Sequence, residues 1–308
     1  ERIQPNLPPF SYTGIDCFGP IKTSSYRSQR KRYGCIFTCL ATRAVHIEVV
    51  YSLDAESFIC AFRRFVSLRT LPVKIFSDNG RNFVKGEQEL RKAYLFHTKH
   101  TLYSYAASRF VQWSFIPPHS PHYGGVWERL IGVIKRVLRA IIPKTSRLTD
   151  EILCTLFSEI QSIVNSRPLT KLSDDPNDLT PLTPNSLLTL KQHVDVPPSV
   201  GSASDAYRCR WKYVQHLANL FWSRWVKEYL PKLNARSKWT VPHKNMKVGE
   251  LVLVHETGLP RNLWPLAIIK KVCTGRDGNV RSAIVKTRVT ELHRPITQLI
   301  RLEVDSEM

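Results

Sequence analysis

Apolar residues in the first half of the chain follow two alternating patterns: short β-type runs, and longer runs with helical spacing. The runs rich in β-branched and aromatic residues predict strands within residues 10–21, 33–50, 73–78 and 111–118. Apolar residues spaced three and four apart predict helices within residues 54–70, 86–96, 126–142 and 149–167. This order of elements predicts an α/β fold, in which helices flank a mixed sheet.

The first predicted helix shows how local signals define an element. Asp54 precedes it and is a suitable N-cap, and Pro72 follows its end. The side chains expected on its buried face are Phe58, Phe62, Phe65, Val66 and Leu68.

The second half of the chain has a different composition. Pro, Ser, Asp and Thr become frequent after residue 168, and residues 191–205 are predicted to be a linker. An aromatic helix follows from about residue 206. Four or five short strands then predict a small all-β barrel, with "RDGN" (276–279) as a hairpin turn. The predicted domains are therefore 1–190, a linker at 191–205, and 206–308. We expect Trp211, Trp222 and Trp225 in a core, with base stacking as the alternative.

The charge of the chain narrows the class of partner. Its 308 residues include 45 Lys and Arg against 25 Asp and Glu, which gives a formal net charge of +20. Such a surplus favours a polyanion, and nucleic acid is the expected one. A solubility charge or a basic tail is the alternative, but the basic residues are spread along the whole chain.

Cysteine usage and hydropathy argue against a disulfide-rich, a zinc-binding and a membrane-spanning protein. The seven cysteines are odd in number and form no CxxC pair, and several of them lie in apolar runs. This pattern indicates a reducing compartment, and we expect neither a disulfide framework nor a zinc site. No stretch of about 18 apolar residues predicts a membrane span. The chain begins without Met, so we expect a piece of a longer precursor.

Three carboxylates stand at positions where they can converge. Asp16 lies in the first strand, Asp78 ends a later strand in "KIFSDNG", and Glu128 opens a helix after a Gly-rich loop. Converging carboxylates repel one another unless a cation binds them, and Mg²⁺ prefers such oxygen ligands. Two such ions about 4 Å apart can hold the attacking and leaving oxygens of a phosphoryl displacement. Taken alone, Asp78 is better explained as a turn or cap residue, and only the set of three carboxylates favours a metal site.

The helix that carries Glu128 has a polar face beside its apolar one. At about 100° per residue, Glu128, Gly132, Lys135 and Arg139 lie on the same face. An acid followed by two bases fits a metal at one end and phosphates along the rest. A solvated charged face is the alternative. Gly132 costs about 1 kcal/mol in mid-helix compared with Ala, which either close approach of DNA or helix packing would explain.

The motifs "GIDCFGP", "FSDNGRNF", "FIPPHSPHYGGVWERLIGVIK" and "NSRPLT" resemble the integrase core of retroviruses and long-terminal-repeat retrotransposons. The spacing of 49 residues between Asp78 and Glu128 exceeds the usual retroviral one and resembles BEL/Pao retrotransposons. The C-terminal segments "VGELVLVHE" and "RPITQLIRL" resemble the small domain that follows the integrase core in those elements.

The resemblance implies an RNase H-like core in which Asp16, Asp78 and Glu128 are catalytic residues and ligands of Mg²⁺ or Mn²⁺, with two ions expected. It implies trimming of the element's DNA ends and their joining to target DNA, by a homo-multimer acting in the nucleus after synthesis in the cytoplasm as part of a polyprotein. The family's zinc domain is not in this chain, so no zinc is expected. "RSQRKR" (27–32) is a weak import signal and more simply a basic loop. Residues expected to contact DNA are Asn79, His122, Tyr123, Gly124, Lys135 and Arg139 in the core, and Lys270 and Lys271 in the barrel, for which ordinary solvent exposure is the alternative.

Two further hypotheses remain open at this point. A host-recruited copy could act as a catalytically silent DNA-binding module, although all three acids are present. A structure-specific nuclease could share the fold, although "NSRPLT" and the barrel argue against it. Divalent-dependent nicking separates the enzyme hypotheses from the binding module.

Overall fold

A computed structural model of the chain describes residues 7–25, 28–100, 111–116, 125–142, 148–172, 178–191, 209–233, 245–256, 259–275 and 278–302. Within these ranges, the side chains of residues 94–100, 125–129 and 232 are not described. No helix in the described ranges is long and apolar enough to cross a membrane. The chain forms two compact units: Glu1–Val164 with Pro197–Phe221, and Asn165–Val196 with Trp222–Met308. The predicted boundaries at 190 and 205 stay a prediction.

The first unit contains a five-stranded mixed sheet in the order β3-β2-β1-β4-β5. The first three strands are antiparallel to one another, and β4 and β5 run parallel to β1. This is the strand order of an RNase H-like core, and the predicted fold class is confirmed. The strands are β1 (Tyr12–Ser25), β2 (Ser28–Cys39), β3 (Val45–Val50), β4 (Lys74–Ser77) and β5 (Gln112–Phe115).

Helices cover both faces of this sheet. On one face, Phe65 of α1 stacks on Phe37 of β2 at 4.2 Å, and Phe58 contacts Phe83 of α2 at 5.0 Å between ring centroids. On the other face, Phe18 of β1 contacts Phe157 of α4 at 5.7 Å. The helices are α1 (Ala55–Leu68), α2 (Arg81–His100), α3 (Gly125–Ile141) and α4 (Asp150–Asn165).

Helix α1 begins where the sequence predicted. The carboxylate of Asp54 accepts a hydrogen bond from the backbone N–H of Ser57 at 2.7 Å, which satisfies one of the unpaired donors of the first turn. Phe58, Phe62 and Phe65 are buried as expected. The prediction for Leu68 is wrong, because the helix ends there and leaves its side chain 68% exposed.

The Pro-rich segment after α4 is more ordered than its composition suggests. It contains the short strands β6 (Thr170–Lys171) and β7 (Pro181–Leu182), which pair, and the helix α5 (Pro184–Thr189). Thr183 and Ser186 form a capping box at the start of α5. The predicted linker at 191–205 lies outside the described residues except for Lys191.

The aromatic helix α6 (Arg210–Leu233) begins and ends a few residues later than the predicted range of 206–230. Trp222 and Trp225 are buried as expected, and Trp225 stacks on Tyr229 at 4.6 Å between centroids. Trp211 is different, because its side chain is 59% exposed.

The second unit contains a five-stranded antiparallel sheet in the order β11-β10-β9-β8-β12. Its strands enclose one apolar core that includes Val252, Ile269, Val285 and Leu299. This all-β sheet after a helix is the predicted C-terminal arrangement. The strands are β8 (Leu251–Val254), β9 (Leu266–Thr274), β10 (Val280–Lys286), β11 (Glu291–Pro295) and β12 (Leu299–Arg301). All seven cysteines of the chain are free thiols.

Candidate active site

The two predicted sheet carboxylates lie side by side. In the parallel pair β1–β4, Gly14 lies opposite Phe76. Asp16 and Asp78 each follow two residues later, so they lie at the same level and on the same face of the sheet. Their proximity has an electrostatic consequence, because the charge of Asp78 contributes to raising the pKa of Asp16. The strand register therefore brings these two predicted residues together.

The turn after β4 holds Asp78 at the edge of the sheet. Its Oδ1 accepts a hydrogen bond from the backbone N–H of Gly80 at 2.9 Å. A Cβ at Gly80 would lie 2.8 Å from the Asn82 side chain and 3.0 Å from Asp78 Oδ1, so glycine keeps this turn open. Beneath it, the indole N–H of Trp113 donates to Ser77 Oγ at 2.8 Å. Asp78 itself is exposed and accessible to a ligand.

Lys135 of α3 supplies a cation to Asp16. Its Nζ lies 2.5 Å from Asp16 Oδ2, and the two side chains are only 20% and 30% exposed. Burial raises the pKa of Asp16 above its ordinary value, and Lys135 opposes that rise. The sequence placed Lys135 on the polar face of its helix but did not predict this ion pair, since residues 119 apart give no local signal.

Packing of α3 against the sheet determines where Lys135 lies. Gly132 is on the open side, where an added Cβ would meet nothing within 4 Å. Arg139, one turn beyond Lys135, is exposed. The predicted amphipathic pattern is therefore correct. The buried residues of this helix are Leu130, Ile131, Val133, Ile134, Val137, Leu138 and Ile141.

The third predicted carboxylate is placed only by its backbone. Glu128 lies in α3 two turns before Lys135, about 10 Å along the axis and on nearly the same face. Its side chain belongs to those that are not described. His122, Tyr123 and Gly124, predicted to contact DNA, lie outside the described residues.

The remaining predicted DNA contacts have different surroundings. The side-chain amide of Asn79 donates to the carbonyl of Ile116 at 3.4 Å, so Asn79 also connects the ends of β4 and β5. Lys270 and Lys271 belong to β9 of the second unit. Lys270 is the extra residue of a β-bulge and is half-buried, whereas Lys271 is paired opposite Ile284 and exposed.

Two residues near the site were missed by sequence reasoning. Trp113 supports Ser77 from the neighbouring strand, and the Asn82 amide lies 3.8 Å from the sulfur of Cys17, the residue after Asp16. Both connections link distant parts of the sequence, so no local pattern could have indicated them.

The donor set fits a hard divalent cation. Asp16 and Asp78 offer carboxylate oxygens from neighbouring strands, and their mutual repulsion is relieved when a cation lies between them. Lys135 already partners one of these oxygens with its positive charge. Among the described side chains, no group of three or more His, Cys, Asp or Glu residues converges, and Glu128 is not among them.

Comparison with known proteins gives one family match and several similar structures. A family of unknown function (DUF5641) matches residues 209–302, which contain α6 and the C-terminal sheet. No curated protein matches the chain.

Three similar solved structures are integrases, the type of protein that the sequence motifs resemble. The intasome of simian T-cell lymphotropic virus, in complex with PP2A regulatory subunit B56 gamma, is 13% identical with a TM-score of 0.42, covering 97% of this chain and 81% of that one. The HTLV-2 integrase catalytic core domain in complex with magnesium is 18% identical in two forms. The trimeric form has a TM-score of 0.37 and covers 59% of this chain and 98% of that one. The dimeric form has a TM-score of 0.35, and the match covers 53% of this chain and 91% of that one. The BEL/Pao assignment stays a prediction.

Proposed function

We propose that the chain is the integrase of a BEL/Pao-like retrotransposon, a polynucleotidyl transferase that trims the element's DNA ends and joins them to target DNA. The observation that supports this most directly is the register of the parallel strands β1 and β4, which carries Asp16 and Asp78 to one level of the sheet. Two carboxylates with a lysine at the same edge of a sheet form a site for a divalent cation and a phosphate. The net charge of +20 provides the long-range attraction for DNA.

In this proposal Asp16, Asp78 and Glu128 hold Mg²⁺ or Mn²⁺, with two ions expected. When bound, the ions stabilise the charge on the attacking and leaving oxygens of the phosphodiester. Asp16 is the more buried of the two sheet carboxylates, and its partial burial strengthens its interaction with any cation. Asp78 is exposed and fixed by the N–H of Gly80, so it is oriented before a ligand arrives.

The helix α3 supplies the surface along which DNA would lie. Lys135 contributes a positive charge beside Asp16, and Arg139 extends that charge by one turn. Between Glu128 and Lys135, Gly132 leaves room for a phosphate backbone to approach the helix. Lys270 and Lys271 add sequence-independent phosphate contacts from the second unit. Assembly as a homo-multimer on DNA, action in the nucleus and synthesis within a polyprotein belong to the same proposal.

Strand transfer by the purified chain tests this function. Oligonucleotides that copy the element's ends are incubated with the protein and Mg²⁺ or Mn²⁺, beside the variants Asp78→Asn and Asp178→Asn. Asp178 is the matched control, since it makes the same kind of local hydrogen bond, to the N–H of Thr180, in the second unit. We expect joined products from the wild type and from Asp178→Asn, and none from Asp78→Asn. Joining by Asp78→Asn would refute the assignment.

The alternative hypothesis of a catalytically silent DNA-binding module predicts a different result in the same assay. It would bind DNA in a salt-sensitive way without nicking or joining. Cleavage without joining would instead favour a nuclease.

A further inference from the structure

The hairpin formed by β1 and β2 extends beyond the rest of its sheet. Strand β3 pairs with β2 only up to Tyr33, and β4 pairs with β1 only as far as Gly14. Residues 21–25 and 28–32, here called the basic ribbon, are therefore strand-paired only with each other. At about 3.3 Å per residue, the ribbon is roughly 16 Å long.

The exposed side chains of the basic ribbon are all polar, and three are cationic. Lys22 and Lys31 lie directly opposite each other, an arrangement in which like charges destabilise a strand pair. Neither lysine forms an ion pair with any residue in the described ranges, and the ribbon contains no acidic residue. A surface that concentrates unbalanced charge in this way is stabilised by an anionic partner. Its exposed residues are Lys22, Ser28, Gln29, Arg30 and Lys31.

The other face of the basic ribbon is fixed to the core. Asp150, at the start of α4, accepts hydrogen bonds from Thr23 Oγ1 at 2.8 Å and from Arg32 at 2.7 and 2.8 Å. The backbone N–H of Ser24 donates to the carbonyl of Leu148 at 2.7 Å. The ribbon is therefore held in place before any partner binds, which lowers the entropic cost of binding.

A β-bulge between Phe18 and Ile21 determines the direction in which the lysines point. Phe18, like Asp16, is on the face covered by α4. After the extra residue, Thr23 and Arg32 face α4, so Lys22 and Lys31 point from the opposite face. The lysines are about 20 Å from Asp16 along the strand. They cannot contact the phosphate that reacts at Asp16.

We propose that the basic ribbon is a docking surface for the phosphate backbone of duplex DNA, on a segment away from the reacting phosphate. This inference rests on the proposed function for the identity of the polyanion. Duplex DNA presents one negative charge per about 1.7 Å of helix axis, so it can neutralise two cations about 5 Å apart together. Lys, Arg, Ser and Gln are typical phosphate-contacting residues. Protein interfaces are instead depleted in Lys and enriched in aromatic residues, which the exposed part of the ribbon lacks.

Binding of a fluorescent duplex as a function of salt tests the proposal on the full chain. The double variant Lys22→Gln, Lys31→Gln is compared with Arg63→Gln, Lys85→Gln. The control removes the same charge from exposed positions on α1 and α2 that form no ion pair with the described side chains. Loss of two phosphate contacts reduces the slope of log K against log salt by about 1.8, and the affinity at 0.1 M salt by roughly 60-fold. We expect the control to keep the wild-type slope and melting temperature. The ribbon variant should melt at or above the wild-type temperature, because the repulsion between the two opposed lysines is removed.

Equal slopes for the two double variants would overturn the proposal. So would a ribbon variant that loses binding to polyglutamate but not to duplex DNA, since the partner would then be an acidic protein. The outcomes also separate this inference from the proposed function. If the wild type joins DNA but the ribbon variant keeps the wild-type salt slope, only the proposal for the basic ribbon is refuted. A reduced slope without any joined product would refute the integrase and leave the ribbon as a DNA-docking surface.

Discussion

Adding one methyl group at two glycines of the first unit should change stability in opposite directions. Gly132 lies in mid-helix on the open face of α3, where a new Cβ meets no atom within 4 Å. Gly34 lies in β2 opposite Phe18, whose ring would be 2.2 Å from the new Cβ. The perturbation Gly→Ala is therefore chemically identical, and only the surroundings differ.

The magnitudes follow from those surroundings. Ala is favoured over Gly in a helix interior by about 1 kcal/mol, and no steric term opposes this at Gly132. At Gly34 the Phe18 ring must move, and with it the contact of Phe18 with Phe157 at 5.7 Å between centroids. Overpacking of this kind costs about 1–3 kcal/mol. We expect Gly132→Ala to raise the free energy of unfolding by roughly 1 kcal/mol, and Gly34→Ala to lower it.

Urea unfolding of the full chain, followed by far-UV circular dichroism, measures both changes as shifts of the midpoint. A lower urea midpoint for Gly132→Ala than for the wild type would refute the conclusion that Gly132 lies on an open face of α3. An unchanged midpoint for Gly34→Ala would refute the packing of Phe18 over the glycine. Strand transfer gives a second readout. If DNA approaches α3 closely at Gly132, the stabilised variant joins DNA less well than the wild type, whereas a purely structural glycine leaves joining unchanged.

Three further changes test the fold around the site. The hydrogen bonds from Arg32 lower the pKa of Asp150 below its ordinary value of 3.8, so its stabilising effect is present above that pH and is lost as the pH falls through the lowered value. Asp150→Asn should lower stability by about 2 kcal/mol at pH 7 and flatten the acid limb of a stability–pH curve; a parallel curve would contradict this. Asp54→Ala should destabilise α1 by about 1 kcal/mol, measured by urea unfolding, with no change as the contrary result. Leu68→Ala should be within about 0.5 kcal/mol of wild type, whereas Phe65→Ala should lose about 3–5 kcal/mol; similar losses would show that Leu68 is buried after all.

Local patterns in the sequence predicted the elements better than the connections between them. The N-cap at Asp54 and the apolar face of α3 depend on residues within one or two turns, and both were predicted correctly. Leu68 followed the helical period as well, but its exposure depends on where the helix leaves the sheet. The sequence did not predict the regular structure of β6, β7 and α5. Frequent Pro, Ser and Asp are typical of capping boxes and tight turns as well as of flexible linkers.

The site required information that only the folded chain contains. Sequence patterns placed Asp16 in a strand and Asp78 at the end of another, but their common level depends on the β1–β4 register. The direction of Lys22 depends on the β-bulge after Phe18, which reverses the alternation of every later side chain in β1. The ion pair of Asp16 with Lys135 joins residues 119 apart. Register, bulges and distant ion pairs are properties of tertiary packing.

The position of Lys135 beside Asp16 follows from the hydrophobic core and not from the ion pair. Seven apolar side chains of α3 are buried, and they fix the rotation of the helix on the sheet. A polar residue at the flank of that stripe is then carried to the sheet edge whatever its charge. Rotation by one residue, about 100°, would take the ammonium away from Asp16. A large-to-small change at the buried Ile134 should therefore disturb the contact between Lys135 and Asp16, although Ile134 is not itself part of the site. Lys135→Gln should instead remove the charge and leave the helix in place.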